Sequence, residues 1–299
     1  SNVMAGKLFG IPVSGTHAHS WIMSFETEIE AFEAYAEAFP DQCVFLVDTY
    51  ETLHGVKNAI KVGEILRSKG KEMIGIRIDS GDLAYYSVQA RQLLDEAGFP
   101  NAKIVASNDL DEHIISSLKT QDAAIDVWGV GTKLVTAFDQ PALGAVYKLS
   151  AVKNNEGAWV PKVKVSQQSL KINVPGIHNV KRYFSNGKAV ADMIYLEEQP
   201  IDSKGVVIID PNDATRRKRL MPAFYKEEDL LKPIFKQGEL VYELPSLVAI
   251  RERSGLQLET FDKTHKRLIN PHTYPVGLEE NLHHLRMELV LKANKFDDE

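Results

Sequence analysis

The feature that most limits the fold of this chain is a cadence of short apolar runs. They lie at 8–14, 43–47, 73–78, 103–106 and 125–128, stepping by 35, 30, 30 and 22 residues. Helical segments separate them. Residues 25–39 place Phe25, Ile29, Phe32, Tyr35, Ala36 and Phe39 on one face before Pro40. Residues 55–69 turn Val56, Ile60, Val62, Gly63 and Leu66 inward before Gly70, and 83–97 and 110–119 read the same way. Such a rhythm predicts βαβ units with parallel strands and crossover helices. The runs are continuously apolar, as expected where both sheet faces are covered. Each ends in polar, Gly-containing or carboxylate-bearing residues, and in a (β/α) barrel or doubly wound sheet that rim is where chemistry is built. A closed barrel needs eight units and about 250 residues. The five seen here therefore imply either an open sheet or first strands upstream of Ser1.

From 145 onward the pattern changes. Residues 145–152, 160–166 and 206–209 read as strands, and 181–184 and 189–196 flank Ser185-Asn186-Gly187, a strong hairpin signal. Residues 246–261 and 278–295 read as helices, and 295–299 as a frayed tail. The expected division is a (β/α) portion at 1–144 and, at 145–299, an antiparallel β segment with C-terminal helices.

Composition excludes several classes. No run approaches the ~18–20 apolar residues of a membrane helix. With 35 basic and 41 acidic side chains the net charge is −6, against a non-specific nucleic-acid binder. The single cysteine permits no intrachain disulfide and no thiolate zinc cage. Ser1-Asn2-Val3-Met4 is no signal peptide, so a cut or processed start is expected.

Two rim motifs concern anions. Gly129-Val130-Gly131-Thr132 follows a strand, where backbone N–H groups, the Thr132 hydroxyl and the charge of Lys133 suit a phosphate monoester; it equally fits a plain Gly-rich turn. In Arg77-Ile78-Asp79-Ser80-Gly81-Asp82, Arg77 and Asp79 occupy alternate positions and can face one side. A guanidinium there takes a carboxylate or pyrophosphate, and a carboxylate takes ribose hydroxyls or a Mg²⁺ shell, unless the two simply pair with each other. Asp48, Asn108 and Asp109 extend the polar rim, favouring a polyol, sugar or metal-bound phosphate ligand. His17 and His19 flank Ala18, with no Cys, Glu or third His spaced to complete a metal site. A rim histidine can instead be structural, a general base or a phosphate-accepting nucleophile. The basic run Arg216-Arg217-Lys218-Arg219 lies among acidic residues and reads as a salt-bridged surface, and His283-His284 as solvent-facing or locally bonded.

The stretches SNVMAGKLFGIPVSGTHAHSW, LVDTYETLHGVKNAI, IRIDSGDL, ASNDLDE and WGVGTKLVT, with LVYELPSL and LINPHTYPVGL near the end, run in order across nearly the whole chain. Together they resemble the bacterial nicotinate phosphoribosyltransferases. Members of that family carry a further N-terminal region, so the resemblance implies the C-terminal portion of such a chain. It also implies the irregular (β/α) barrel of the type II phosphoribosyltransferases, lacking its first strands here.

The resemblance further implies transfer of phosphoribosyl from phosphoribosyl pyrophosphate to nicotinate, giving nicotinate mononucleotide and pyrophosphate in NAD salvage, with ATP as co-substrate and Mg²⁺ as cofactor. A cytoplasmic homodimer is expected. His19 matches the histidine phosphorylated by ATP, whereas His17 falls at a variable position. Arg77 matches the basic residue at the nicotinate and pyrophosphate end, Asp79 the carboxylate near the ribose, and Gly129, Gly131 and Thr132 the 5′-phosphate loop. Thr16 of the Gly-Thr-x-Ala-His motif, with Ser107, Asn108 and Asp109, matches the substrate pocket. The alternatives are a nicotinamide or quinolinate transferase on the same barrel, or an inactive phosphate-binding or assembly fragment.

Overall fold

The computed structural model describes residues 2–166, 172–202, 204–221 and 225–294; the expected tail at 295–299 lies outside them. Two compact units divide between Gly144 and Ala145. The chain is mixed α/β, and no described helix is long and apolar enough to cross a membrane.

In the first unit, α1 (Asn2–Phe9) and the short α2 (His19–Ile22) precede α3 (Glu28–Ala38). Then follow β1 (Val44–Leu46), α4 (Thr52–Ser68), β2 (Gly75–Ile78), α5 (Leu83–Glu96), β3 (Lys103–Ala106), α6 (Glu112–Thr120), β4 (Val127–Trp128) and α7 (Thr132–Val135). Side chains start the helices. Thr27 and Glu30 form a reciprocal capping box on α3. Glu51, Asp82 and Asp111 accept backbone N–H bonds at the starts of α4, α5 and α6.

The strands form one parallel sheet in the order β1-β2-β3-β4, pairing Val44 with Gly75, Ile76 with Ile104 and Ala106 with Trp128. Phe45, Val47, Ile76, Ile78, Ile104 and Ala106 pack into one core with residues of α3, α4 and α5. Alternate positions point the other way; there Leu46 is fully buried, but Arg77 and Val105 are only partly so. The expectation that both faces are fully covered is thus corrected: one face is core, and the other carries the polar site.

The strand expected at 8–14 is also corrected. Its first two residues end helix α1, the rest is irregular, and Leu8, Phe9, Ile11 and Val13 are exposed. No described strand pairs with this segment, so its apolar residues gain no burial by being extended. Four parallel strands remain from the expected five.

In the second unit, β5 (Ala151–Lys153) pairs with β6 (Trp159–Pro161), which shortens the strands expected at 145–152 and 160–166. Then come β7 (His178–Ser185), β8 (Lys188–Leu196), β9 (Val206–Ile209), β10 (Arg217–Leu220), β11 (Lys226–Asp229), the small pair β12 (Phe235–Lys236) and β13 (Glu239–Leu240), α8 (Leu247–Thr260), β14 (Val276–Glu279) and α9 (Glu280–Asn294). The hairpin lies where Asn186-Gly187 indicates, both residues having positive φ, 49° and 74°. The six-stranded sheet runs β10-β9-β14-β8-β7-β11, with β14 parallel to β8 and antiparallel to β9. Tyr183, Ala191, Met193, Val206, Ile208 and Leu220 form its core.

Two readings of side chains change here. Arg216 pairs with Asp213 at 3.2 Å on the surface, as expected, but Lys218 is half-buried and donates to the Val190 carbonyl at 2.7 Å. His283 is buried on α9 rather than solvent-facing, because the helix turns Leu282, His283 and Arg286 inward; burial holds its pKa below the ordinary value.

Candidate active site

The C-terminal ends of β1, β2 and β3 and the loop before α2 bring their polar side chains together. Arg77 is the hub. Its Nη1 donates to Thr16 Oγ1 at 2.7 Å, its Nε to Ser107 Oγ at 2.8 Å and its Nη2 to Asp79 Oδ2 at 3.2 Å. Ser107 in turn donates to the other oxygen of Asp79. The guanidinium thus ties residue 16, β2 and β3 into one plane, as its fork of fixed donors allows. Arg77 and Asp79 do pair, yet both side chains remain 24% exposed and open to a ligand.

His19 joins through two contacts. Its Nε2 lies 3.5 Å from Asp79 Oδ2 and its Nδ1 is 3.0 Å from Thr49 Oγ1. The ring is 38% exposed, so a reagent can reach it while its orientation is held from both nitrogens.

Asp48 anchors the arrangement from β1. Its Oδ2 accepts the Asp79 N–H at 2.9 Å and the Ser80 hydroxyl at 2.6 Å, which fixes the backbone that aims Asp79. Its Oδ1 is buried without a hydrogen-bond partner among the described residues. In the sequence Asp48 stands only as one rim carboxylate and Thr49 only as its neighbour at the end of the 43–47 run. Their available signal was position directly after an apolar run.

His17 is a different kind of histidine from His19. It is buried, its Nε2 accepts the Leu46 N–H at 3.3 Å, and its ring stands edge-on to Tyr35 at 4.6 Å. Burial lowers its pKa to about 4, so it is neutral in the fold. The unfolded chain, titrating near 6.5, takes up the proton first. Stability from this group is therefore full above pH 6.5 and fades as pH falls from 6.5 to 4, by up to about 3 kcal/mol. Urea unfolding across that window should show this loss in the wild type and not in His17→Gln; parallel curves would contradict it.

The remaining expected residues sit at the rim without joining this network. Asn108 and Asp109 are exposed, with positive φ of 92° and 30°, and make no side-chain hydrogen bond among the described residues. The Gly129 N–H donates to the Ala106 carbonyl at 2.7 Å, and a Cβ there would lie 3.2 Å from Ser107 Cβ. Gly129 therefore closes the loop against Ser107 rather than offering its N–H to an anion. Gly131 and Thr132 are exposed at the start of α7. Lys133 bonds Asp111 at 2.7 Å and lies over the Phe138 ring, so its charge is not directed at an anion as expected. No group of three or more His, Cys, Asp or Glu side chains able to hold a metal ion occurs among the described residues.

Comparison with known proteins gives a consistent set of relatives. The nicotinate phosphoribosyltransferase (NAPRTase) family pattern matches residues 1–188, and that of the nicotinate phosphoribosyltransferase C-terminal domain matches 177–286. Nicotinate phosphoribosyltransferase of Bacillus subtilis is 47% identical over 294 residues, covering 97% of this chain and 59% of that protein. The Caenorhabditis elegans enzyme is 35% identical over 350 residues, covering 98% and 61%. A crystal structure of human nicotinic acid phosphoribosyltransferase superposes with a TM-score of 0.77 at 27% identity, covering 96% of this chain and 64% of that one. Nicotinate-nucleotide pyrophosphorylase from Pyrococcus furiosus, at 22% identity and TM-score 0.61, shares the fold alone. The chain spans about three-fifths of the length of the curated relatives it matches.

Proposed function

The chain belongs to the nicotinate phosphoribosyltransferase family, and from that premise we propose that it carries the ribose-handling and histidine-phosphorylating part of an ATP-coupled nicotinate phosphoribosyltransferase. Phosphoribosyl would pass from phosphoribosyl pyrophosphate to nicotinate, giving nicotinate mononucleotide and pyrophosphate in NAD salvage. The sheet would be part of an irregular (β/α) barrel, in a cytoplasmic homodimer.

One observation carries this reading: His19, Asp79, Arg77, Ser107 and Thr16 form a single connected network at the strand ends. In the reaction the pyridine nitrogen attacks C1 of the ribose, the bond from C1 to the pyrophosphate oxygen breaks, and pyrophosphate departs with that electron pair. Nicotinate already presents its nucleophile, so no strong base is needed. What the protein supplies is alignment and charge stabilisation. Asp79 would favour cationic ribose, and Arg77 an anionic leaving group or the substrate carboxylate. Asn108, Asp109, Gly131 and Thr132 are assigned to the surrounding substrate and phosphate contacts, and Gly129 to shaping that loop.

Phosphorylation of His19 would set an anionic group beside Asp79, repelling its carboxylate and drawing on Arg77. The energy of ATP would thus be stored as a charge change in the pocket. For Mg²⁺, the buried unpartnered oxygen of Asp48 beside Asp79 suits one cation contact, the other positions falling to the diphosphate and water. When bound, Mg²⁺ supplies charge neutralisation on the leaving group.

The test is His19→Ala in the assayed enzyme. ATP should no longer stimulate nicotinate mononucleotide formation, and slow ATP-independent transfer should persist. Undiminished ATP stimulation would refute the assignment.

A further inference from the structure

Thr49 sits on a rigid mount just past β1. The Val47 N–H donates to the Arg77 carbonyl at 3.1 Å, and Asp48 Oδ2 accepts the Asp79 N–H at 2.9 Å, so the chain before Thr49 is tied to β2. The side chain branches at Cβ, which restricts χ1 and with it the direction of the hydroxyl. That hydroxyl belongs to a half-buried residue, lies 3.0 Å from His19 Nδ1 and makes no other hydrogen bond among the described residues.

Donor and acceptor chemistry then places the proton on the His19 ring. Its other nitrogen, Nε2, faces Asp79 Oδ2 at 3.5 Å. An ionised carboxylate only accepts, so a lone pair on Nε2 would be repelled there, whereas an Nε2 proton meets an acceptor. With the proton on Nε2, Nδ1 keeps its lone pair, and the Thr49 hydroxyl is the group that donates to it. His17 has the reverse arrangement. Its Nε2 accepts the Leu46 N–H at 3.3 Å, which puts the proton of the neutral ring on Nδ1. One stretch of chain, from Leu46 to Thr49, thus sets His17 and His19 in opposite tautomers.

We propose that Thr49 is a positioning residue, whose hydroxyl holds His19 in the Nε2–H tautomer and in a single ring orientation. The consequence for activity rests on the reading of His19 as the residue phosphorylated by ATP. In that step a ring lone pair forms the N–P bond, the P–O bond to ADP breaks, and ADP departs with that electron pair. The ring proton stays on the nitrogen beside Asp79, where a carboxylate meets the positive charge that the ring acquires. In the opposite tautomer the lone pair would point at Asp79 instead, and the ring would lose this support.

Nitrogen-15 NMR of the protein with labelled histidine, at about pH 8.5 where ordinary histidines are neutral, tests the tautomer without ATP. His19→Gln and His17→Gln assign the two sets of signals. In the wild type His19 should show a pyridine-type Nδ1 and a pyrrole-type Nε2, and His17 the reverse. Thr49→Val, which keeps the shape and removes the hydroxyl, should move the His19 signals towards the averaged pair of a free imidazole and leave those of His17 in place. Thr49→Ser should keep the wild-type pair. With γ-labelled ATP, formation of phosphoprotein should slow by about 10–100-fold in Thr49→Val, the scale for losing a group that orients a functional imidazole, and recover in Thr49→Ser. If Thr49→Val loses its folded circular-dichroism signal, Thr49→Ala replaces it with the same expectations. A pyrrole-type Nδ1 on wild-type His19, unmoved His19 signals in the variant, or equal labelling rates would each overturn the proposal. Absence of label in the wild type would instead refute the phosphohistidine reading, while the NMR result would still decide the tautomer.

Discussion

Replacing Arg77 by alanine is expected to lower kcat/KM for the proposed phosphoribosyl transfer by about 10²–10³-fold, the scale of losing a preorganised donor to developing charge. The size follows from the number of partners. One guanidinium serves Thr16, Ser107 and Asp79, and Asp79 in turn faces His19. Without it, Asp79 loses its cation and Ser107 loses a donor, so the groups that would meet ribose and leaving group are both misaligned. Arg77→Lys should rescue little, because an ammonium cannot span three partners in the plane of a fork. Steady-state kinetics in saturating ATP would measure this. Activity of Arg77→Ala within tenfold of the wild type would mean that the hub is structural only.

The second large effect is on folding. Gly55 lies in the first turns of α4, where a Cβ would fall 2.0 Å from the Val47 carbonyl oxygen and 2.8 Å from its carbon. Those are backbone atoms of the chain leaving β1, so no side chain can swing away. Either α4 or that chain must move. Gly55→Ala should therefore destabilise by about 3 kcal/mol, the upper end of ordinary overpacking, despite the better helix propensity of alanine. The shift also has a functional direction. Val47 immediately precedes Asp48 and Thr49, which hold the Asp79 backbone and the His19 ring. The folded fraction should accordingly lose activity beyond its loss of stability. Gly255→Ala in α8 is the control, since no atom lies within 4 Å of the Cβ it would add. Urea denaturation placing Gly55→Ala within 0.5 kcal/mol of the wild type would contradict the close approach.

The two halves were unequally legible. In the first, strand ends and helix starts could be read because α3, α4, α5 and α6 each carry a capping side chain and each strand is a short apolar run. In the second, β10 and β11 escaped notice because they are the outer strands of the sheet. Arg217-Lys218-Arg219-Leu220 and Lys226-Glu227-Glu228-Asp229 carry charge where an edge discourages further pairing. Strand β14 was absorbed into the helix expected at 278–295, since four residues between two other strands carry too little periodicity to stand out. The apolar run at 8–14 differs for the opposite reason: it has the composition of a strand, and no described strand pairs with it.

Among site residues, His19, Arg77 and Asp79 could be named from motif and position, and local spacing was enough to put Arg77 and Asp79 on one side. The motif set His19 apart from His17, but nothing local showed that His17 is buried and neutral. Two residues apart in one motif, they differ because one ring enters the space beside Tyr35 and the other meets Thr49 and Asp79. Likewise the charge of Lys133 was visible in sequence, but its commitment to Asp111 depends on a contact 22 residues away in the chain.

By itself, then, the sequence determined the alternation of strand and helix, the hairpin at Asn186-Gly187 and the chemical content of each strand end. These are properties of neighbouring residues, set by backbone propensity, capping and side-chain period. The tertiary structure decided which strand ends meet, which histidine is buried and neutral, and which cations are already paired. Those outcomes depend on groups brought together by packing, and burial and ion pairing are created only when the chain closes on itself.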